Sequence, residues 1–416
     1  MRIHWIWLAI CPELSDRQRL MVLEAMEDPE AVYMASEQAL AQIPDLTEKA
    51  RTALLDKDLK PAQKILQQCA DKGISLLTYG DPQYPVRLKH IADPPLVLYY
   101  KGTLPQWEEM PIITVVGTRK ASAYGCTAAM QMGYQLVRCG ATVVSGAADG
   151  IDAAAMEGAL KAGGQVVAVL GCGADVVYPA KNKKLFLETE RHGCLLTEFP
   201  PGTRPLKWNF PKRNRILSGL SNGVVVVEAP ERSGALITAK LALDQGRDVF
   251  AVPGNIGVAS SEGTNDLLRQ GAILVRSGWD VVSEYEGLYP KAISGANARE
   301  RMPGVVTLHR EEPVAKVAQN PEKPGKESAL GQTPQKKPID KTEKPSYSVR
   351  RETLASLTEQ ERRLVEKLQG EMLVDDLIAA SALPAGQVLA MLTMLEIRGI
   401  VARLPGKRVR LCYEME

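Results

Sequence analysis

This sequence has almost no excess of charge. Lysine and arginine number 51 against 49 aspartates and glutamates, a formal net charge of +2. The chain as a whole therefore carries no polyanion-binding signal, and any nucleic-acid site has to come from a local cluster of cations. Paired thiols are missing too. Cys11, Cys69, Cys126, Cys139, Cys172, Cys194 and Cys412 are odd in number and irregularly spaced, with no C-x-x-C pair. That argues against a disulfide framework and against a zinc site, and it implies reduced thiols in a cytoplasmic compartment. The four histidines, His4, His90, His192 and His309, share no motif, so no metal is expected. No run approaches the about 20 apolar residues of a membrane span. The short apolar stretch 3–11 is interrupted by His4 and followed by Pro12-Glu13 with no small-residue cleavage site. It reads as a buried first helix rather than a secretory leader.

What is present is enough chain for two or three domains. Of its 416 residues 45 % are hydrophobic and 24 % charged, the balance of an ordinary soluble globular protein. Residues 1–105 read as a helical domain, with apolar residues at helical spacing in 20–26 and 62–66. The segment 40–50 resembles a degraded helix-hairpin-helix whose hairpin holds Asp45 and Leu46 in place of a glycine. It is expected to dock rather than to touch DNA. Pro94-Pro95 leads into a short strand at 96–100.

The middle of the chain has another rhythm. Short β-branched runs at 112–116, 141–144, 165–170, 194–197, 224–227, 248–252 and 272–275 alternate with helical stretches. Continuous apolar runs mean strands buried on both faces, as in a parallel sheet covered by helices. Residues 108–288 are thus expected to form a Rossmann-like, doubly wound, mostly parallel α/β domain. The stretch 292–350 is polar, charged and proline-rich, too poor in apolar surface to fold, and reads as a disordered linker. Residues 355–413 then show three helical patterns and a hairpin around Pro405-Gly406-Lys407, with Thr358 as N-cap and Glu361 three residues on. These fit a winged helix.

Anion sites in doubly wound sheets lie beyond the carboxyl ends of the strands. Gly117-Thr118-Arg119 follows the first strand, and Ser145-Gly146-Ala147-Ala148-Asp149-Gly150-Ile151-Asp152 follows the second. Small residues there permit close backbone approach to phosphate, and Arg119 adds a bidentate donor. Gly171-Cys172-Gly173 after the third strand begins like a dinucleotide fingerprint, but Val176 stands where the last glycine belongs, and Walker A is absent. No nucleotide cofactor is expected. The segment 207–221 is the most informative. Lys207, Lys212, Arg213 and Arg215 are interleaved with Trp208 and Phe210. A run of charge is usually a solvated face. Cations mixed with aromatics between two strands of a ligand-binding fold suit a nucleic-acid strand better, because backbone wants the charge and unstacked bases want the rings.

The segments 115–119, 145–152, 169–173, 210–216 and 234–239, in this order and spacing, resemble the DNA-processing protein A (DprA/Smf) family. The resemblance implies a homodimer that binds single-stranded DNA and protects it. It also implies loading of a RecA-type recombinase during natural transformation, on strands coated by a single-strand-binding protein. The same resemblance makes Arg119 and Lys207 phosphate ligands and Phe210 a stacking platform. Lys212, Arg213, Asn214 and Arg215 would line the same pocket, with Gly117, Thr118, Ser145, Gly146 and Ala147 around it. Ala147 departs from the family's commoner Ser-Gly-Gly-Ala.

Two other functions compete with this reading. One is a nucleotide-processing enzyme of the phosphoribohydrolase kind, with Asp152 and Glu228 as acid and base. Its Pro-Gly-Gly-x-Gly-Thr-x-x-Glu signature is absent from 227–235, and no nucleophile–base constellation replaces it. The expectation is a binding protein, not an enzyme. The other is a transcription factor reading bases through the winged helix. Its recognition stretch 384–395 has no lysine or arginine and only Gln387 as a base reader, while Lys407, Arg408 and Arg410 suit phosphate.

Overall fold

The computed structural model describes residues 2–293, 358–368, 371–381, 383–397, 400–404 and 408–411. The chain divides into two compact units, residues 1–315 and 316–416. The segment read as a linker lies outside the described residues from 294 onward.

The first unit is built on a nine-stranded sheet. In chain order its strands are β1 (Ser75–Thr78), β2 (Val97–Gly102), β3 (Ile112–Val116), β4 (Thr142–Ser145), β5 (Val166–Val169), β6 (Gly193–Thr197), β7 (Gly223–Val226), β8 (Asp248–Ala251) and β9 (Ile273–Leu274). Their spatial order is β1-β2-β6-β5-β4-β3-β7-β8-β9. From β6 to β9 every pairing is parallel. β1 and β2 add antiparallel at the β6 edge. The continuous apolar runs explain the parallel part. Every residue of β3, β4, β5 and β7 is buried, with a helical layer over each face, and each such valine contributes about 1.5–3 kcal/mol. β9 differs from its expected double burial. Ile273 and Leu274 are both exposed, because β9 is the free edge of the sheet.

The sheet therefore begins before residue 108. Residues 2–71 are helical, from Arg2–Ile10 to Lys60–Asp71, and then β1 and β2 carry the chain into the sheet. The first helix buries Ile6, Trp7 and Leu8 in a cluster that includes Leu76, Val97 and Tyr99 of the strands. In the hairpin between the helices Glu37–Ala41 and Glu48–Leu55, Asp45 takes φ 56°, a left-handed turn that aspartate tolerates better than most residues.

The second unit has helices Glu359–Glu366, Val374–Ser381 and Ala385–Ile397. Its sheet has the order β10-β12-β11, with β10 (Glu371–Leu373), β11 (Val401–Leu404) and β12 (Arg408–Leu411) all antiparallel. Leu364, Leu377, Val388, Leu392, Val401 and Val409 close its core. Thr358 and Glu361 form the expected capping box. Gln387 donates to Gln360 Oε1 at 3.0 Å, Arg408 and Arg410 are exposed, and Lys407 lies outside the described residues.

Candidate nucleic-acid interface

Strands after β3 run to one side as far as β6, and strands from β7 run to the other. The loops after β3 and β7 therefore part, and a crevice opens between them, as it does wherever strand order reverses. It has a volume of about 530 Å³. Gly117, Thr118 and Arg119 form one wall, and the segment 230–238 forms the facing wall. The helix Gly234–Asp244 starts on that wall with Ser233 as its N-cap, so its positive end faces the opening.

The helix Asn209–Leu220 supplies the remaining side. Phe210, Arg213, Asn214 and Leu217 line the crevice, at the i, i+3, i+4, i+7 spacing of a single helix face. Asn214 reaches Gly234 O at 3.5 Å, which ties this helix to the opposite wall. Lys207, on the loop before the helix, also lines the crevice, and the neighbouring Trp208 is 69 % exposed.

Helical spacing separates the cations that the sequence puts together. Lys212 and Arg215 lie on the other face and do not line the crevice. Arg215 is buried and holds Glu198 in a two-pronged pair, 2.8 Å on each side. Its Nε is 3.0 Å from Asp93 Oδ2. Lys212 Nζ is 2.9 Å from Asp16 Oδ2. Arg215 is thereby committed to docking the N-terminal helices against the sheet, and Lys212, whose side chain is 43 % exposed, joins it there through Asp16.

Ser145, Gly146 and Ala147 are also moved from the expected site, to a place beneath its floor. Ser145 is buried and its hydroxyl donates to Val115 O at 2.7 Å. The Gly146 amide donates to Asp152 Oδ2 at 3.1 Å. Ala147 is buried at φ 51°, and its carbonyl accepts from Asn182 Nδ2 at 3.1 Å. Thr118 lines the crevice, but its amide donates to Glu228 O at 2.7 Å.

Arg213 is the buried back wall. Its guanidinium donates to Val169 O and packs on Gly146, where an added Cβ would sit 2.5 Å from Nη1. Burial pushes the Asp152 carboxyl up, and Arg213 with the amides of Ala148 and Gly146 only partly offsets this, so it stays above its ordinary value. Burial likewise brings Arg213 down to about 10, against the charge of Asp152. Arg213 Nε is buried without a hydrogen-bond partner. Glu228 Oε2 accepts from the Ser122 amide at 2.9 Å. Asp152 and Glu228, the candidate acid–base pair, are thus both engaged in holding loops.

Gly171 and Gly173 have a packing role. A Cβ on Gly171 would come within 2.8 Å of the Phe210 ring, and one on Gly173 within 2.9 Å of the Gly202 amide. Phe210 is half-buried over Gly171, with the Arg119 guanidinium 5.1 Å from its ring centroid.

Arg119, Lys207, Arg213 and Arg232 thus face one carboxylate, Asp152, around the crevice. Among the described residues, Arg119, Lys207 and Arg232 form no salt bridge, although the charge of Arg119 acts on Asp152. Arg232 and Tyr178 were missed in the sequence. The signal for Arg232 was its place just before a capped helix after β7. Tyr178 had none, because its loop is remote in sequence. Among the described residues no group of three or more His, Cys, Asp or Glu side chains could hold a metal ion, and no helix is long and apolar enough to cross a membrane.

Comparison with known proteins places this architecture. The family model for DNA recombination-mediator protein A matches residues 75–286, and that for the DprA winged helix domain matches 349–407. Protein Smf of Synechocystis is 36 % identical over 354 residues, covering 84 % of this chain and 83 % of its own. The DNA processing protein DprA of Bacillus subtilis is 42 % identical over 221 residues, covering 53 % and 74 %. The X-ray structure of DNA processing protein A from Streptococcus pneumoniae superposes with a TM-score of 0.61 at 37 % identity, over 68 % of this chain and 98 % of that one. With one model spanning half the chain and a relative matched over most of both lengths, the chain belongs to the DprA/Smf family of DNA recombination-mediator proteins.

Proposed function

We propose that the crevice binds single-stranded DNA, with Arg119, Lys207 and Arg232 on phosphates and Phe210 under a base. The observation that carries this reading is the placing of cations that form no salt bridge among the described residues beside a ring that is half-open to solvent. A crevice for a free anion needs no aromatic floor. A strand with unstacked bases uses both. Arg213 and the start of the helix Gly234–Asp244 add positive potential from behind. Gly117 and Thr118 shape the wall, and Asn214 fixes its width.

On this reading the protein shields incoming single strands and hands them to a RecA-type recombinase, as a cytoplasmic homodimer that takes part in recombination and transformation and performs no chemistry of its own. A surface for the second copy is offered by the β9 edge. Ile273 and Leu274 there are exposed, whereas Val275, Val281 and Val282 are buried and cannot contribute.

The test is an anisotropy titration of one labelled oligonucleotide, single-stranded and as its duplex. The single strand is expected to bind more tightly. Arg119→Ala and Lys207→Ala are expected to weaken it. Equal affinity for both forms, unchanged in both variants, sinks the proposal.

A further inference from the structure

Tyr178 shares the crevice with Phe210. Tyr178 is 39 % exposed, and among the described residues its hydroxyl has no hydrogen-bond partner. By contrast the core tyrosines Tyr84 and Tyr99 are only 2 % and 1 % exposed. The loop that presents Tyr178 is fixed at both ends. Asp175 accepts the Gly202 amide at 2.8 Å and pairs with Lys72 at 2.5 Å. On the other side Asn182 is bonded to Ala147 O. An exposed ring on a fixed loop is positioned in advance for a ligand.

The geometry of the two rings narrows what that ligand can be. Their centroids are 5.6 Å apart and their planes are inclined by 41°. A base held between two rings needs roughly 7 Å, two carbon–carbon contact distances, so none fits between them. Each ring instead receives a base on its own separate face, which on Phe210 means displacing the Arg119 guanidinium 5.1 Å from its centroid, and the two faces are not parallel. Two adjacent bases that rest on them cannot stay stacked on each other. A duplex keeps its bases parallel, whereas a flexible single strand can splay them.

We propose that Tyr178 is a second stacking platform, receiving the base next to the one on Phe210. The inclination between the two rings selects strands whose neighbouring bases are unstacked. This rests on the crevice being the strand-binding site.

The test uses the full-length protein and two ligands of equal length and charge, an oligothymidylate and an abasic oligomer of the same backbone. Tyr178→Ala is expected to weaken the oligothymidylate about tenfold, in the range of one lost base–aromatic stack. It leaves the abasic oligomer unchanged. Tyr178→Phe keeps the ring and retains oligothymidylate affinity. Tyr178→Ala acting on neither ligand, or equally on both, overturns the proposal, as does a loss in Tyr178→Phe as large as in Tyr178→Ala. Failure of the crevice reading looks different: Arg119→Ala and Lys207→Ala then bind the abasic oligomer as the wild type does.

Discussion

The guanidinium of Arg119 lies 5.1 Å from the centroid of the Phe210 ring, so the free protein already covers the face on which a base would rest. A cation over an exposed ring is worth about 0.5–1 kcal/mol, and this contact must break when a base arrives. In the wild type Phe210→Ala loses the stack but also removes that competing contact. In an Arg119→Ala background it loses the stack alone. Phe210→Ala is therefore expected to cost about 0.5–1 kcal/mol more binding free energy in the Arg119→Ala background. A double-mutant cycle measured by titration checks this, and strict additivity would show that the two side chains do not compete.

Salt dependence separates the roles of the side chains around the crevice. None of Arg119, Lys207 and Arg232 forms a salt bridge among the described residues, so each is available to displace a counterion from the strand. Replacing any of them by alanine is expected to flatten the slope of log K against log[salt] by about 0.7. Phe210→Ala is expected to lower affinity by about 1–3 kcal/mol and leave the slope alone. A Phe210→Ala protein that loses slope and melting temperature together would make the ring a scaffold for the basic loop.

Ala147 holds φ 51°, a conformation that costs a non-glycine residue about 1–2 kcal/mol. Glycine removes that cost, but it gives up a buried methyl worth about 0.8 kcal/mol and loosens the unfolded chain by about 0.4–1 kcal/mol. The three effects nearly cancel, so Ala147→Gly is expected to leave stability within about 1 kcal/mol of the wild type. Ala147→Val adds β-branching to the same conformation in a fully buried site. It is expected to cost at least about 2 kcal/mol in urea unfolding. A valine variant as stable as the wild type contradicts the left-handed geometry.

The minimal binding unit follows from the sheet. A fragment 108–288 would leave out β1 and β2, uncover β6, and strip Asp16 and Asp93 from Arg215. It is expected to unfold or aggregate, whereas 1–293 is expected to bind single strands without the winged unit. Circular dichroism and titration of both fragments decide this. A well-folded, DNA-binding 108–288 fragment would make β1 and β2 an accessory.

Much of this arrangement was legible in the sequence, and the losses have physical reasons. The runs 112–116, 141–144, 165–170 and 224–227 announced buried parallel strands because burial on both faces erases alternation. β1 escaped because Ser75-Leu76-Leu77-Thr78 is four residues long and looks like the end of the preceding helix. Its strand character comes from pairing with β2. The basic segment 207–221 was recognisable by composition, but counting cations merged two helix faces. Applying the 3.6-residue period to Phe210, Arg213, Asn214 and Leu217 separates them from Lys212 and Arg215 without any coordinates. The fate of Ser145, Gly146 and Ala147 was not readable, because it depends on where Val115, Asp152 and Asn182 come to lie. Tyr178 meets Phe210 only through the fold.

The ionic cluster around Arg215 is expected to contribute to acid stability. The Arg215 and Glu198 side chains are only 5 % and 8 % exposed, so removing one partner strands a charge, and Arg215→Ala is expected to destabilise the protein by about 3–5 kcal/mol. Asp16 sits at the cluster's edge. Burial alone would push its carboxyl up, but the hydrogen bond from Lys212 and the charges of Lys212, Arg215 and Arg19 outweigh burial and hold it below the usual aspartate range. A carboxyl depressed on folding stabilises fully above its unfolded pKa, and that contribution fades as pH falls through the folded value. Asp93 opposes this. Burial raises its carboxyl despite the nearby Arg215, so its protonation on acidification relieves a cost. The two effects act in different windows, Asp93 above the ordinary aspartate pKa and Asp16 below it. Asp16→Asn is therefore expected to lower the melting temperature at neutral pH and to flatten the wild type's fall below about pH 4. Asp93→Asn is expected to remove a change at milder acidity and to leave that steep limb in place. Thermal unfolding of the three proteins from neutral to acid pH checks both signs. A wild-type acid limb that persists unchanged in Asp16→Asn would move the depressed carboxylate elsewhere in the molecule.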